Sequence, residues 1–154
     1  MKIYQIRYAK PEEAEILTDL IWRSKASWGY PREWLESWRE LLTITPEMIE
    51  SMISLIAEDQ GKIMGFWARE PLSYSEKPSR GFLFIEPAVM GTGCGRQLFQ
   101  AMKSELIQRN VYSFSLEADP HAEDFYLKMG GKKIAEIESS IPGRMLPIIR
   151  FDFG

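Results

Sequence analysis

Three glycines at alternate positions, Gly91-Thr92-Gly93-Cys94-Gly95, separate a short apolar run from an amphipathic helix. No other stretch constrains the chain as much. Ahead of it, Phe82-Leu83-Phe84-Ile85 stands between Gly81 and Pro87, which suits a strand buried on both faces. After it, Leu98, Phe99, Met102 and Leu106 fall on one helical stripe, with Gln97, Gln100, Lys103 and Ser104 away from it. Asn110 stands where a left-handed residue would end that helix. Glycine lets the backbone turn sharply and lets a ligand approach the main chain with no Cβ in the way. The N–H groups that a helix start leaves unpaired, together with the helix dipole, attract an anion. Strand, glycine loop and helix in this order make a phosphate cradle.

The residues just after the glycines narrow the choice of ligand for such a cradle. A P-loop requires Gly-Lys-Ser/Thr at the helix start, and here Gly95 is succeeded by Arg96-Gln97. A dinucleotide fingerprint requires a further glycine three residues after the second, where Arg96 stands. Glu117, about 20 residues on, sits where a ribose-binding acid would. Against that, the cradle lies in mid-chain after a hairpin and not in a first βαβ unit. A small dinucleotide-binding oxidoreductase is therefore the weaker alternative.

The stretch Met90-Gly91-Thr92-Gly93-Cys94-Gly95 resembles the Arg/Gln-Gly-x-Gly-x-Gly/Ala signature of the GNAT superfamily of acyl-CoA-dependent N-acetyltransferases, with Met90 in place of the usual Arg or Gln. A second segment, Asp119-Pro120-His121-Ala122-Glu123-Asp124-Phe125-Tyr126, is similar to that family's Asn-x-x-Ala-x-x-Phe-Tyr, with Asp119 for Asn and a Gly130-Gly131 turn after it. The resemblance covers nearly the whole chain. It implies one α+β domain over residues 1–154, a three-layer αβα arrangement around a mixed, mostly antiparallel central sheet of six to seven strands. It also implies that acetyl-CoA is the co-substrate and no metal takes part. The cofactor would lie along Phe84 and Ile85, with its pyrophosphate on Met90, Gly91, Thr92, Gly93, Cys94, Gly95 and Arg96, and with Asp119 close by.

Composition agrees with a soluble globule. A chain of 154 residues is one domain by size and buries about 70% of its unfolded surface. A net charge of −3 and a pI near 5.3 argue against nucleic acid as a partner. Cys94 is the one cysteine, so no internal disulfide forms, which points to a reducing, cytoplasmic compartment. No apolar run is long enough to span a membrane, and the first residues have no signal core.

The order of elements can be read from periodicity. Residues 3–8 alternate as a strand. Pro11-Glu12-Glu13 opens a helix whose stripe is Ala14, Leu17, Ile21 and Trp28, ended by Gly29. Pro31 opens a second helix on Trp34, Leu35, Trp38, Leu41 and Leu42, and Thr45-Pro46-Glu47 adds a short turn. Residues 54–59 and 62–69 form a hairpin across Gln60-Gly61, and Pro71 to Ser79 is a polar connector. A strand near 112–117 precedes a helix capped by Asp119 and stopped by Gly130. Strands near 132–138 and 148–153 close the chain around a loop carrying Arg144.

Amide formation from a thioester requires a neutral amine, stabilisation of the thioester oxygen, and protonation of the departing thiolate. The resemblance puts the acid at Tyr126, against the alternative that Phe125-Tyr126 is a core aromatic pair. Glu86 and Glu117, each ending a strand, are the candidate bases, against their being ordinary strand-end acids. The lone His121 reads as a solvated residue of a capped first turn. Cys94 reads as a small loop residue, although a helix N-terminus would lower its pKa. Two junctions that wall the acceptor site in the family carry Trp28, Tyr30 and Arg144. An aromatic pair suits a cationic amine and a guanidinium fork suits an anionic group, so the expected acceptor is a small molecule with an amine. A homodimer is compatible with the family, and so is a CoA-binding module that performs no catalysis.

Overall fold

The computed structural model describes residues 2–70, 78–80 and 82–154, which form two compact units. Residues 71–77 of the expected connector, and Gly81 ahead of the cradle strand, lie outside the described residues.

The first unit comprises Met1–Glu70 and Phe82–Lys103. Strand β1 (Gln5–Tyr8) leads through a 3-10 turn at Pro11–Glu13 into helix α1 (Ala14–Ala26), then α2 (Arg32–Ser37), α3 (Pro46–Ser51), β2 (Ile53–Asp59) and β3 (Lys62–Arg69). The expected polar stretch ends in a two-residue strand, β4 (Ser79–Arg80), which belongs to the second unit. Strand β5 (Phe82–Ile85) and helix α4 (Cys94–Gln108) then bracket the glycine loop. The sheet of this unit runs β1-β2-β3-β5, antiparallel throughout. Its core is apolar as the patterning required. Leu17, Leu20 and Ile21 of α1, Phe66 and Trp67 of β3, and Leu98, Phe99 and Met102 of α4 are all buried, and the Trp67 and Phe99 rings stack at 5.4 Å.

Two helices are shorter than their apolar stripes suggested. Gly29, at φ +81°, ends the first as expected, but the helix stops at Ala26 and Trp28 is left 37% exposed in the turn beyond it. Trp28 therefore does not complete the core stripe. The second helix ends at Ser37. Trp38 and Leu42 still reach the core from the turns beyond it, while Leu41 is 48% exposed because the helical period no longer directs it inward.

The second unit comprises Pro71–Gly81 and Ser104–Gly154. After α4 the chain turns at Asn110, which adopts φ +60°, and forms β6 (Ser113–Glu117), a 3-10 turn at Pro120–Ala122, α5 (Glu123–Lys128), β7 (Lys132–Glu138) and β8 (Met145–Asp152). Strand β8 starts three residues earlier than periodicity suggested, which shortens the loop before it. Pro147 sits inside that strand, and its carbonyl accepts the Ala118 N–H at 2.9 Å. The sheet runs β4-β6-β8-β7, with β4 parallel to β6 and the other pairs antiparallel. Phe114 and Phe151 stack at 5.0 Å in its core. A side chain at Gly131 would meet Phe151 at 2.8 Å, so this glycine is required for space where the chain enters β7. The α+β class and the mixed, mostly antiparallel pairing are as expected from the sequence.

Candidate functional site

The cradle is built by backbone. Glu86 donates its N–H to the Met64 carbonyl at 2.8 Å, which holds the end of β5 against β3. A single turn at Pro87–Val89 closes with the Val89 N–H on the Glu86 carbonyl at 2.9 Å. Gly91 and Gly93 then adopt φ +81° and +95°, the left-handed region that glycine enters at no steric cost. A Cβ built on Gly91 meets nothing within 4 Å, so what that position requires is conformation and not room. The Gln97 N–H closes the first turn of α4 on the Gly93 carbonyl at 3.0 Å. The amides of Cys94, Gly95 and Arg96 come before that bond, at the positive end of the helix dipole. The loop from Met90 to Arg96 thus has the open backbone and the amide array that a pyrophosphate needs.

Side chains with no motif to mark them in the sequence hold the cradle in place. The Thr92 hydroxyl bonds the Val89 carbonyl and the Tyr4 hydroxyl, both at 2.6 Å. Gln97 accepts the Tyr4 N–H at 2.9 Å and donates to the Lys2 carbonyl at 2.6 Å. Tyr4 is buried, so the segment leading into β1 is tied to both ends of the loop. Gly65 of β3 completes the seat. A Cβ there would stand 2.8 Å from Leu98 and 2.9 Å from the Cys94 sulfur, so its absence lets the first turn of α4 press against the sheet. This close approach buries Cys94 and pushes its thiol up to about 12. The lowered pKa expected from the helix N-terminus is thus corrected, because desolvation of the thiolate outweighs the dipole.

Helix α1 is joined to the end of β5. Arg23 donates to both carboxylate oxygens of Glu86, from Nε at 3.2 Å and from Nη2 at 2.7 Å. The next residue, buried Ser24, accepts the Ile85 N–H at 3.3 Å. Glu86 is therefore an ion-paired carboxylate, more specific than a solvated strand-end acid. Phe84, beside Ile85, is half-buried and meets Phe82 edge-on at 5.3 Å. Tyr30 packs edge-on against Trp38 at 5.1 Å, and the Lys25 ammonium lies over both rings at 5.4 and 5.0 Å. The aromatic surface at Tyr30 thus already faces a cation of the chain itself.

In the second unit the Asp119 segment gathers three of the expected residues. Asp119 caps its turn by accepting the His121 N–H at 2.8 Å, and the same oxygen lies 3.0 Å from His121 Nδ1. Its other oxygen accepts from Arg144 Nη2 at 3.3 Å. The Arg144 side chain is 11% exposed, so it is not a solvated loop arginine. Tyr126, one helix further on, is 2% exposed, with its ring edge-on to Phe125 at 5.3 Å and to Phe151 at 6.2 Å. Burial, and to a lesser degree the Asp119 charge, raises its phenol above the usual range. Glu117 is half-buried at the end of β6, opposite Ile148 of β8. Among the described residues no group of three or more His, Cys, Asp and Glu is placed to hold a metal ion, and no helix is long and apolar enough to cross a membrane.

The fold has many solved counterparts. A GCN5-related N-acetyltransferase from Rhodopseudomonas palustris superposes with a TM-score of 0.80 at 20% identity, covering 99% of this chain and 97% of its own. The PaiA N-acetyltransferase of Thermoplasma acidophilum, solved with coenzyme A, gives 0.77 at 18% identity over 99% and 100%. YncA of Salmonella typhimurium, solved with acetyl-CoA, gives 0.67 at 16% identity over 99% and 95%. No curated relative is similar enough in sequence to match. The model of the acetyltransferase (GNAT) domain matches residues 30–140, which takes in the cradle, Glu86, Glu117, Asp119 and Tyr126 and leaves Trp28 and Arg144 outside. With the cradle and the Asp119–Tyr126 segment both inside that match, the chain belongs to the GNAT family and is an acyl-CoA N-acyltransferase.

Proposed function

We propose that this chain moves an acetyl group from acetyl-CoA directly to the primary amine of a small acceptor, within a ternary complex. The observation that carries the reading is the cradle, in which two left-handed glycines lead into the first amides of α4, ahead of the helix's first closing bond. Two proteins of the same fold hold coenzyme A or acetyl-CoA. In the reaction the amine nitrogen bonds to the thioester carbon, the carbon–sulfur bond breaks, and one proton leaves the amine while another reaches the sulfur. Tyr126 is the donor to the sulfur. Burial keeps its phenol protonated well above neutral pH, which is the form a donor must have. Glu86 or Glu117 takes the amine proton, and Glu86 does so from a carboxylate that Arg23 already orients. Phe84 and Ile85 line the pantetheine arm. Trp28 offers an exposed aromatic surface to the acceptor beside Tyr30, and Arg144 meets an anionic group where the acceptor has one.

The test is thiol release from acetyl-CoA across a panel of small primary amines, amino acids and short peptides, with the products identified by mass. Release should depend on the amine, and no acetyl-enzyme should accumulate without it. A panel in which only peptides react would remove the small acceptor from the reading. No release with any amine would remove acetyl transfer itself. Arg144→Lys, which keeps the charge and loses the fork, should raise KM for acidic acceptors more than for plain amines.

A further inference from the structure

Arg23 stands between two carboxylates and uses one. Its guanidinium makes two bonds to Glu86. Asp19 lies four residues earlier on α1, acid ahead of base, which is the favourable order for an ion pair one helical turn apart. Asp19 is exposed and already attracts Arg23 through space, but among the described residues it makes no hydrogen bond or close ion pair. Asp19 and Arg23 line an open cavity of about 270 Å³ with Thr18, Trp22, Arg39, Leu42 and Thr43; Arg39 is engaged there by Glu36 and by the Trp22 ring, so there is room for the Arg23 guanidinium beside Asp19. The Arg23 side chain is half exposed and can make that move without repacking the core. Ser24 stays behind as a second tie, since its bond to the Ile85 N–H at 3.3 Å does not involve Arg23.

We propose that Arg23 is a placeholder for the acceptor's ammonium on Glu86, and that it moves to Asp19 when the acceptor arrives. The inference rests on the reading of Glu86 as the carboxylate that meets the amine. Charge is conserved through the exchange. Before it, Arg23 neutralises Glu86 and Asp19 faces water. After it, the ammonium neutralises Glu86 and Arg23 neutralises Asp19. Arg23 and Asp19 are positioning residues in this scheme, and they favour acceptors that arrive as cations.

The experiment measures acetylation of n-butylamine, a primary amine with no other charge, in single and double variants. Arg23→Gln removes the competitor, so KM for butylamine should fall about three- to fivefold, the worth of an exposed ion pair, with KM for acetyl-CoA unchanged. Arg23→Lys keeps a competing charge and should stay near the parent value. Asp19→Asn removes the landing place and should raise KM about twofold, and it should do nothing further in the Arg23→Gln background. An unchanged or higher KM in Arg23→Gln, or an Asp19→Asn effect that survives there, overturns the proposal. Should Arg23→Gln not fold, Asp19→Asn at its exposed position decides alone, and an unchanged KM overturns it. Binding is also read without turnover, from the Arg23 Nε–H resonance assigned by its loss in Arg23→Lys. That resonance should move as butylamine is added in the presence of coenzyme A, and a fixed resonance overturns the exchange. Glu86→Gln separates the two readings. If it leaves kcat unchanged, the role of Glu86 falls and the exchange with it. If it lowers kcat while Arg23→Gln leaves KM in place, the exchange falls alone.

Discussion

The glycine cradle and the Asp119–Tyr126 segment are both starts of helical structure, and they are made in opposite ways. The cradle is open. Its two left-handed glycines and leading amides are main-chain features, and a Cβ at Gly91 would touch nothing. The other segment is closed by side chains. Asp119 is held by His121 and by Arg144 from 25 residues further on, and the Tyr126 ring packs edge-on against Phe125 and Phe151. A ligand site made of backbone is encoded in a few consecutive residues. A site made of side chains depends on partners supplied by distant parts of the chain.

That contrast can be broken most severely at Gly93. Gly93→Asp places a carboxylate among the amides and a Cβ on a left-handed backbone. Coenzyme A binding should be lost beyond detection by calorimetry, and tight binding by a folded variant would end the assignment of the cradle. Next in size, Tyr126→Phe keeps the ring packing and removes the hydroxyl. Its kcat should fall by about 10²-fold or more with little change in coenzyme A affinity, whereas an unchanged kcat would return Tyr126 to the core. Third, Gly65→Ala forces a Cβ against Leu98 and the Cys94 sulfur. Denaturant unfolding should show a loss of about 1–3 kcal/mol, with weaker coenzyme A binding because the cradle rides on the displaced helix.

The two regions can also be compared by pH. In an unfolded chain the thiol titrates near 8.5 and the phenol near 10. In the folded protein burial raises both, Cys94 to about 12. Above each unfolded value the unfolded chain gives up a proton that the folded chain keeps, so stability falls as pH rises, by about 1.4 kcal/mol per pH unit for each group. Neither group contributes below about pH 8. Thermal melts from pH 8 to 11 should show the decline, and Cys94→Ser and Tyr126→Phe should each flatten part of it. A flat profile in the parent protein would contradict the burial. Smallest of all, Thr92→Ala should cost about 1 kcal/mol of stability, since it deletes two hydrogen bonds. Coenzyme A affinity should barely change, and a large loss would mean that the cradle binds through side chains after all.

What could be read in the sequence divides along the same line. The glycine loop, the buried stripe of α4, the left-handed Asn110 and the Asp119 cap all depend on residues within a few positions of one another, and each stands as expected. Helix length was less legible. A stripe that included Trp28 or Leu41 looked continuous, yet the chain leaves helical geometry at Ala26 and Ser37 and the period stops applying. The Arg23–Glu86 and Arg144–Asp119 pairs and the space under Gly65 were not legible at all, because each joins residues far apart in sequence. The direction of the Cys94 shift was misread for the same reason. The dipole is a local feature, whereas the burial that outweighs it comes from β3.

The ties from Tyr4 and Lys2 to the glycine loop have a consequence for how the protein folds. They close across 88, 93 and 95 residues. Glycines and local bonds such as that from Thr92 to the Val89 carbonyl can bend the loop as soon as it is synthesised, but its anchors on Tyr4 and Lys2 wait until β1 has reached its place in the sheet. Contacts of that separation form late, after the entropy of closing a long loop has been overcome. Coenzyme A affinity should therefore be among the last properties to return on refolding, after α4 has regained its helical signal.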